Sequence, residues 1–198
     1  MTAKRTDRTA AALRISLPGP EDMTPEQRAV YDKVVNGPRG TMVGPLRAVI
    51  HSPDLANRWQ LLGEYCRYRT SLPEPLTELA ILVTARHWNS ELEWTIHRGI
   101  AERAGLDPAI IDTIRACGTP AFGDAAQGEV YAFAHELQTT GRVSDDSYMP
   151  IMARWGERGV VELTAVIGYY TMVAMMLNTH HVPLPDNLTA DLNAGASE

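Results

Sequence analysis

The chain has 198 residues, 44% of them apolar and 21% charged, an ordinary globular composition and enough length for one well-buried core rather than two. A net charge of −6 and a pI near 5.5 leave no basic footprint for nucleic acid. The opening MTAKRTDRTAAALRI has no continuous apolar stretch of the kind a secretory leader needs, and the apolar segment 163–177 is too short for a membrane span of roughly 20 residues. A cytoplasmic protein with neither membrane nor nucleic-acid partner is expected.

In chain order the pattern reads as helices throughout, with no alternating run long enough for a strand, so the predicted class is all-α with a single multi-helix domain. Thr24-Pro25-Glu26-Gln27 is a helix start, with Thr24 as cap, Pro25 at the first helical position and Gln27 closing a capping box. That helix should run to about Asn36. The following GPRGTMVGPLR carries glycines at 37, 40 and 44 and prolines at 38 and 45, and should be an ordered irregular loop. Ser52-Pro53 starts a helix with Leu55, Trp59, Leu62 and Cys66 at helical spacing, ending near Ser71. From Leu76 to Trp88 the sequence is apolar almost all round, the pattern of a central helix. Ser90 to Ala104 follows, closed by Gly105, and Asp107-Pro108 caps the next helix. Helices near 124–140, 144–155 and 157–178 complete the chain. The helices at 76–88 and 160–177 show more apolar surface than one small domain should hide, which predicts self-association.

The residues that carry chemistry lie in ELAILVTARHWNSELEWTIH at 78–97. Glu93 and His97 are four apart and share one helix face, close enough for a carboxylate to hydrogen-bond and orient an imidazole for general acid–base work. The same residues also read blandly, Ser90-x-x-Glu93 as a capping box and Glu93/His97 as a surface helix pair. Cys66 and Cys117 are far apart and form no C-x-x-C, so neither a disulfide framework nor a zinc knuckle is indicated. His180-His181 has no companion ligand pattern, and no metal is expected.

The chain resembles the carboxymuconolactone decarboxylase family, within the alkylhydroperoxidase D-like superfamily, from about Ile15 to Pro185. The resemblance rests on GPRGTMVGPLRAVIHSP at 37–53, TELAILVTARHWNSELEWTIHRGIAERAGL at 77–106 and VELTAVIGYYTMVAMMLN at 161–178. It implies an alkylhydroperoxidase D-like bundle over residues 15–185, with a flexible arm at 1–14 and a flexible tail at 186–198, assembled as a trimer or hexamer. In the peroxidase branch the pattern is a Glu, a C-x-x-C and a His four residues after the second cysteine. Its positions fall here on Glu78, Ser90, Glu93 and His97, so both thiols are absent, and a thiolate is what attacks a peroxide. The decarboxylase-like branch carries E-W-x-x-H, present as Glu93-Trp94-Thr95-Ile96-His97.

The resemblance therefore implies a cofactor-independent lyase or isomerase acting on a small carboxylated lactone or carbonyl acid. His97 would move the proton, with Glu93 orienting it and Glu78 completing the cluster. Ser90, Trp94, Arg39 and Arg47 are the expected substrate-binding residues, the two arginines as carboxylate anchors. A non-catalytic oligomer that only binds a ligand is the alternative. Thiol peroxidase chemistry would require Cys66 and Cys117 to meet in space.

Overall fold

The computed structural model describes residues 12–192. Residues 1–11 of the expected arm and 193–198 of the expected tail lie outside the described residues. Within that range the chain is helical and contains no strand.

Helix α1 (Pro25–Val35) starts as its sequence dictates. The Thr24 hydroxyl accepts from the Gln27 N–H and the Gln27 side chain accepts from the Thr24 N–H, so two otherwise orphaned donors are satisfied. The stretch expected to be irregular contains a short helix, α2 (Pro45–Val49), entered through Gly44 at φ 59° and burying Leu46, Ala48 and Val49. Proline needs no N–H partner at that first position, which is why a Gly-Pro pair begins a helix here as well as breaking one. Helix α3 (Pro53–Tyr68) stops at Tyr68 rather than near Ser71 and buries Ala56, Trp59, Gln60, Gly63 and Cys66 on one face.

Helix α4 (Glu74–His87) is central: every residue from Leu76 to Ala85 is buried, against α5, α7 and α8. A left-handed Asn89 (φ 50°) turns the chain into α5 (Glu91–Arg103). Asp107 and Asp124 cap α6 (Pro108–Arg115) and α7 (Ala125–Thr140), each accepting from a backbone N–H two residues on. Helix α8 (Asp145–His180) reverses its backbone sense at Gly156 (φ 66°, ψ −170°), the junction between the two predicted segments. By length and composition α8 would suffice to cross a membrane, but 56% of its most apolar window is buried inside the protein. It serves as a core helix.

Two apolar clusters result. One gathers α4, α6, α7 and the middle of α8 around Leu79, Leu82, Phe133 and Leu163. The other gathers α1, α2, α3 and the end of α8 around Val34, Ile50, Trp59 and Val173. Two polar anchors tie distant segments together. Buried Glu162 on α8 accepts from the Tyr65 hydroxyl, from both the N–H and the hydroxyl of Ser71, and from Arg158. Asp191, in the expected tail, accepts from the Trp94 indole (2.8 Å), Arg98 and Arg115, while the N–H groups of Asp191 and Leu192 donate to Glu91 at 2.7 and 2.9 Å. The described part of that tail is thus held on α5, because buried Leu192 and a carboxylate facing two arginines give it something to dock with.

Candidate functional site

Glu78 projects from α4 and His97 from α5, the two helices joined by the turn at Asn89. The His97 Nδ1 and the Glu78 Oε2 are 2.7 Å apart, and the side chains are 6% and 3% exposed as residues. A proton on Nδ1 shared with Glu78 leaves Nε2 as the nitrogen free to work. Tyr170 of α8 meets the imidazole edge-on, with centroids 4.9 Å apart and planes at 85°, and fixes the ring from a second side.

The expected partner of His97, Glu93, plays no such part. Glu93 is 2% exposed and both its oxygens lack a hydrogen-bond partner, as does the Ser90 hydroxyl. The capping box that Ser90 and Glu93 could have made does not form either. Burial pushes the Glu93 carboxyl well above the ordinary carboxylate range, and the nearby Ser90 hydroxyl offsets only part of that shift. The i, i+4 spacing places Glu93 and His97 on one face, but a shared face does not make a bond, and the orienting carboxylate comes from the neighbouring helix.

Glu93 and His97 line one small cavity of ≈ 60 Å³, room for about two waters or the reacting end of a small ligand. Arg39, Arg67, Tyr169 and Tyr170 complete its polar wall, and Val43, Ile96, Val173 and Leu177 its apolar one. The Arg39 guanidinium lies against the Tyr169 hydroxyl, whose proton affinity it lowers, and beside the Cys66 thiol, and no protein acceptor meets its buried Nε and Nη2 in good hydrogen-bond geometry. Buried guanidinium N–H groups are normally matched, so this pair is available to an oxygen-bearing ligand. Gly63 makes the approach possible: a Cβ there would overlap both the Tyr169 hydroxyl and the Arg39 guanidinium.

Arg47 does not join this wall. Its guanidinium donates to the Leu17 carbonyl at 3.1 Å, which ties the N-terminal segment to α2. Trp94 is also absent from the cavity, fully buried in the α4-centred cluster with its indole N–H on Asp191. Sequence reasoning missed Arg67, Tyr169 and Tyr170. The one available signal was Gly63, an isolated glycine inside a helical pattern, which often marks a close approach.

A larger cavity, ≈ 290 Å³, lies between α4, α6 and α7 and includes His87, Cys117 and His135. Two of its polar side chains are already engaged, Gln138 with Trp88, Thr84 and Thr171 and Arg86 with the Arg115 carbonyl. The smaller cavity, where a carboxyl and a guanidinium are left unmatched, is the better candidate for chemistry. The two cysteines sit apart, Cys66 in the α3-centred cluster and Cys117 in this second cavity. Burial pushes the Cys66 thiol up to about 11 and keeps it protonated, with Arg39 opposing and Glu162 adding to the shift.

No protein-family model matches the chain, and no curated protein is significantly similar to it. Solved structures are. An uncharacterized peroxidase-related protein from Silicibacter sp. TM1040 aligns with a TM-score of 0.73 at 13% identity, covering 95% of this chain and 100% of that one. A second, from Ralstonia eutropha JMP134 and described as an alkylhydroperoxidase AhpD core, aligns at 0.72 and 15% identity over 88% and 93%. The fold is that of the alkylhydroperoxidase D-like proteins. The debrominase Bmp8, solved as a cysteine-to-alanine variant with 2,3,4-tribromopyrrole, shares the fold at 0.65 and 15% identity over 82% and 87%. At such identities the likeness concerns architecture, and one architecture serves many reactions.

Proposed function

We propose that this chain is a cofactor-independent lyase or isomerase of the carboxymuconolactone decarboxylase type, using His97 for proton transfer on a small carboxylated lactone or carbonyl acid. The observation that carries the reading is buried His97, held by Glu78 and lining a cavity that it shares with the buried Arg39 guanidinium. In such a reaction the bond to CO2, or a C–H bond next to a carbonyl, breaks and its electron pair moves into the carbonyl. The enzyme must hold the resulting enolate and return a proton to carbon. His97 supplies the proton transfer, Glu78 positions it, and Arg39 takes a substrate carboxylate. The substrate's own carbonyl is the electron sink, so the chemistry calls for no cofactor. A cytoplasmic location and self-association as a trimer or hexamer belong to the same proposal, with no nucleic-acid or membrane partner.

The test is turnover by the intact chain on a panel of carboxylated lactones and carbonyl acids, with organic peroxides plus a thiol reductant as control. His97→Ala should lower turnover by about a hundredfold to ten-thousandfold while the fold survives, and Ala at both Cys66 and Cys117 should leave it intact. Peroxide turnover lost with the cysteines would overturn the reading. Ligand binding without turnover, unchanged by His97→Ala, would favour a non-catalytic binder of the same fold.

A further inference from the structure

Glu93 stands out among the buried polar groups. A carboxylate taken out of water with no paired cation and only the poorly placed Ser90 hydroxyl nearby is among the most unfavourable arrangements in a protein interior, and such a group keeps its proton instead. Each charged or titratable group around it is accounted for. Glu78 on α4 and His97 on α5 are paired with each other, Tyr169 and Tyr170 approach from α8, and Arg39 and Arg67 stand on the cavity wall, yet none reaches a Glu93 oxygen. A neutral carboxyl offers one O–H donor, and Glu93 lines the same cavity as the free N–H groups of Arg39.

We propose that Glu93 is a neutral carboxylic acid that gives its proton to the carbonyl oxygen of a small oxo acid whose carboxylate is held by Arg39, while His97 works at carbon. This rests on the proton-transfer reading of His97 and divides the labour between two carboxyl groups in unlike surroundings, one paired and one not. In an isomerisation, neutral His97 removes a proton from carbon, the electron pair moves to the carbonyl oxygen, and that oxygen takes the Glu93 proton to give an enol. Collapse of the enol returns the O–H proton to Glu93 while another carbon takes the proton from imidazolium. In a decarboxylation the bond to a second carboxylate, β to the carbonyl, supplies the pair and CO2 leaves, and the carbonyl oxygen takes the Glu93 proton. Imidazolium His97 then protonates the carbon while the enol O–H returns its proton to Glu93, and His97 regains a proton from water.

Infrared difference spectra of the intact protein, wild type minus Glu93→Gln near neutral pH, test the assignment without needing turnover. The expected result is a protonated-carboxyl band lost in the variant and displaced in wild type by pyruvate, the simplest oxo acid. Pyruvate affinity should fall by about tenfold or more in both Glu93→Leu, which removes the donor, and Arg39→Gln. Absence of the band, or pyruvate affinity equal in all three proteins, overturns the proposal. Melting gives a second readout: Glu93→Gln should melt higher than wild type at about pH 8 and equally at about pH 4, because only unfolded Glu93 ionises in between. Coincident stability profiles would also overturn it. A band that responds to pyruvate in a chain that turns over no substrate would remove the proton-transfer reading of His97 and leave the assignment of Glu93 standing.

Discussion

His97 takes its orientation from a residue 19 positions earlier in the chain, and Glu162 shows the same dependence on distant partners. Burial alone would raise the Glu162 carboxyl, but donors from Ser71, Tyr65 and Arg158 outweigh it and hold the group at about 2. A carboxyl with a lower proton affinity in the folded state contributes stability above its ordinary value, and that contribution disappears as pH falls through the folded one. Denaturant midpoints should therefore decline from about pH 4.5 toward pH 2, and Glu162→Gln should flatten that decline. At neutral pH the variant should lose about 1–3 kcal/mol, since Ser71 and Arg158 would face a weaker acceptor. A wild-type midpoint independent of pH across that interval would contradict this account.

At the scale of elements, Gly156 permits a conformation that side-chain-bearing residues avoid, and nothing lies within 4 Å of a Cβ placed there. Gly156→Ala should accordingly cost about 1–3 kcal/mol in chemical denaturation through backbone strain alone, without change in the α7–α8 packing; an unchanged midpoint would refute it. This break was legible in the sequence, as were the Thr24 capping box, the Asp107 cap and the buried band of α4, because each follows from local chemistry. The site was legible only in part. Glu78, Glu93 and His97 were found as residues, but their pairing was misread, since the i, i+4 rule describes neighbours on one helix and not what an adjacent helix brings. Arg39 and Arg47 looked equivalent in a Gly/Pro-rich loop. Only the path of that backbone sends one guanidinium behind Gly63 and the other to Leu17. Tyr169 and Tyr170 resembled any core aromatics until α8 had a position.

At the scale of the whole molecule, the apolar surface expected on the 76–88 helix is hidden within the protomer, because α4 is enclosed by α5, α7 and α8. The excess lies on α3 and α8, where Leu55, Leu62, Tyr65, Tyr68, Met172 and Met175 are exposed. These residues support the proposed self-association. Light scattering at micromolar concentration should report an assembly, and Leu62→Glu with Met172→Glu should shift it toward the protomer; a wild-type monomer would refute this. The attachment of Asp191 and Leu192 to Glu91 has a further consequence, for the order in which the molecule comes into being. The first turn of α5 leads directly to Glu93; its Glu91 carboxylate has a local partner in Thr95, but the N–H groups that also hold it lie about a hundred residues downstream. On the ribosome this turn must wait through the synthesis of α6, α7 and α8 before its anchor emerges, so the cavity should be among the last parts of the protein to mature.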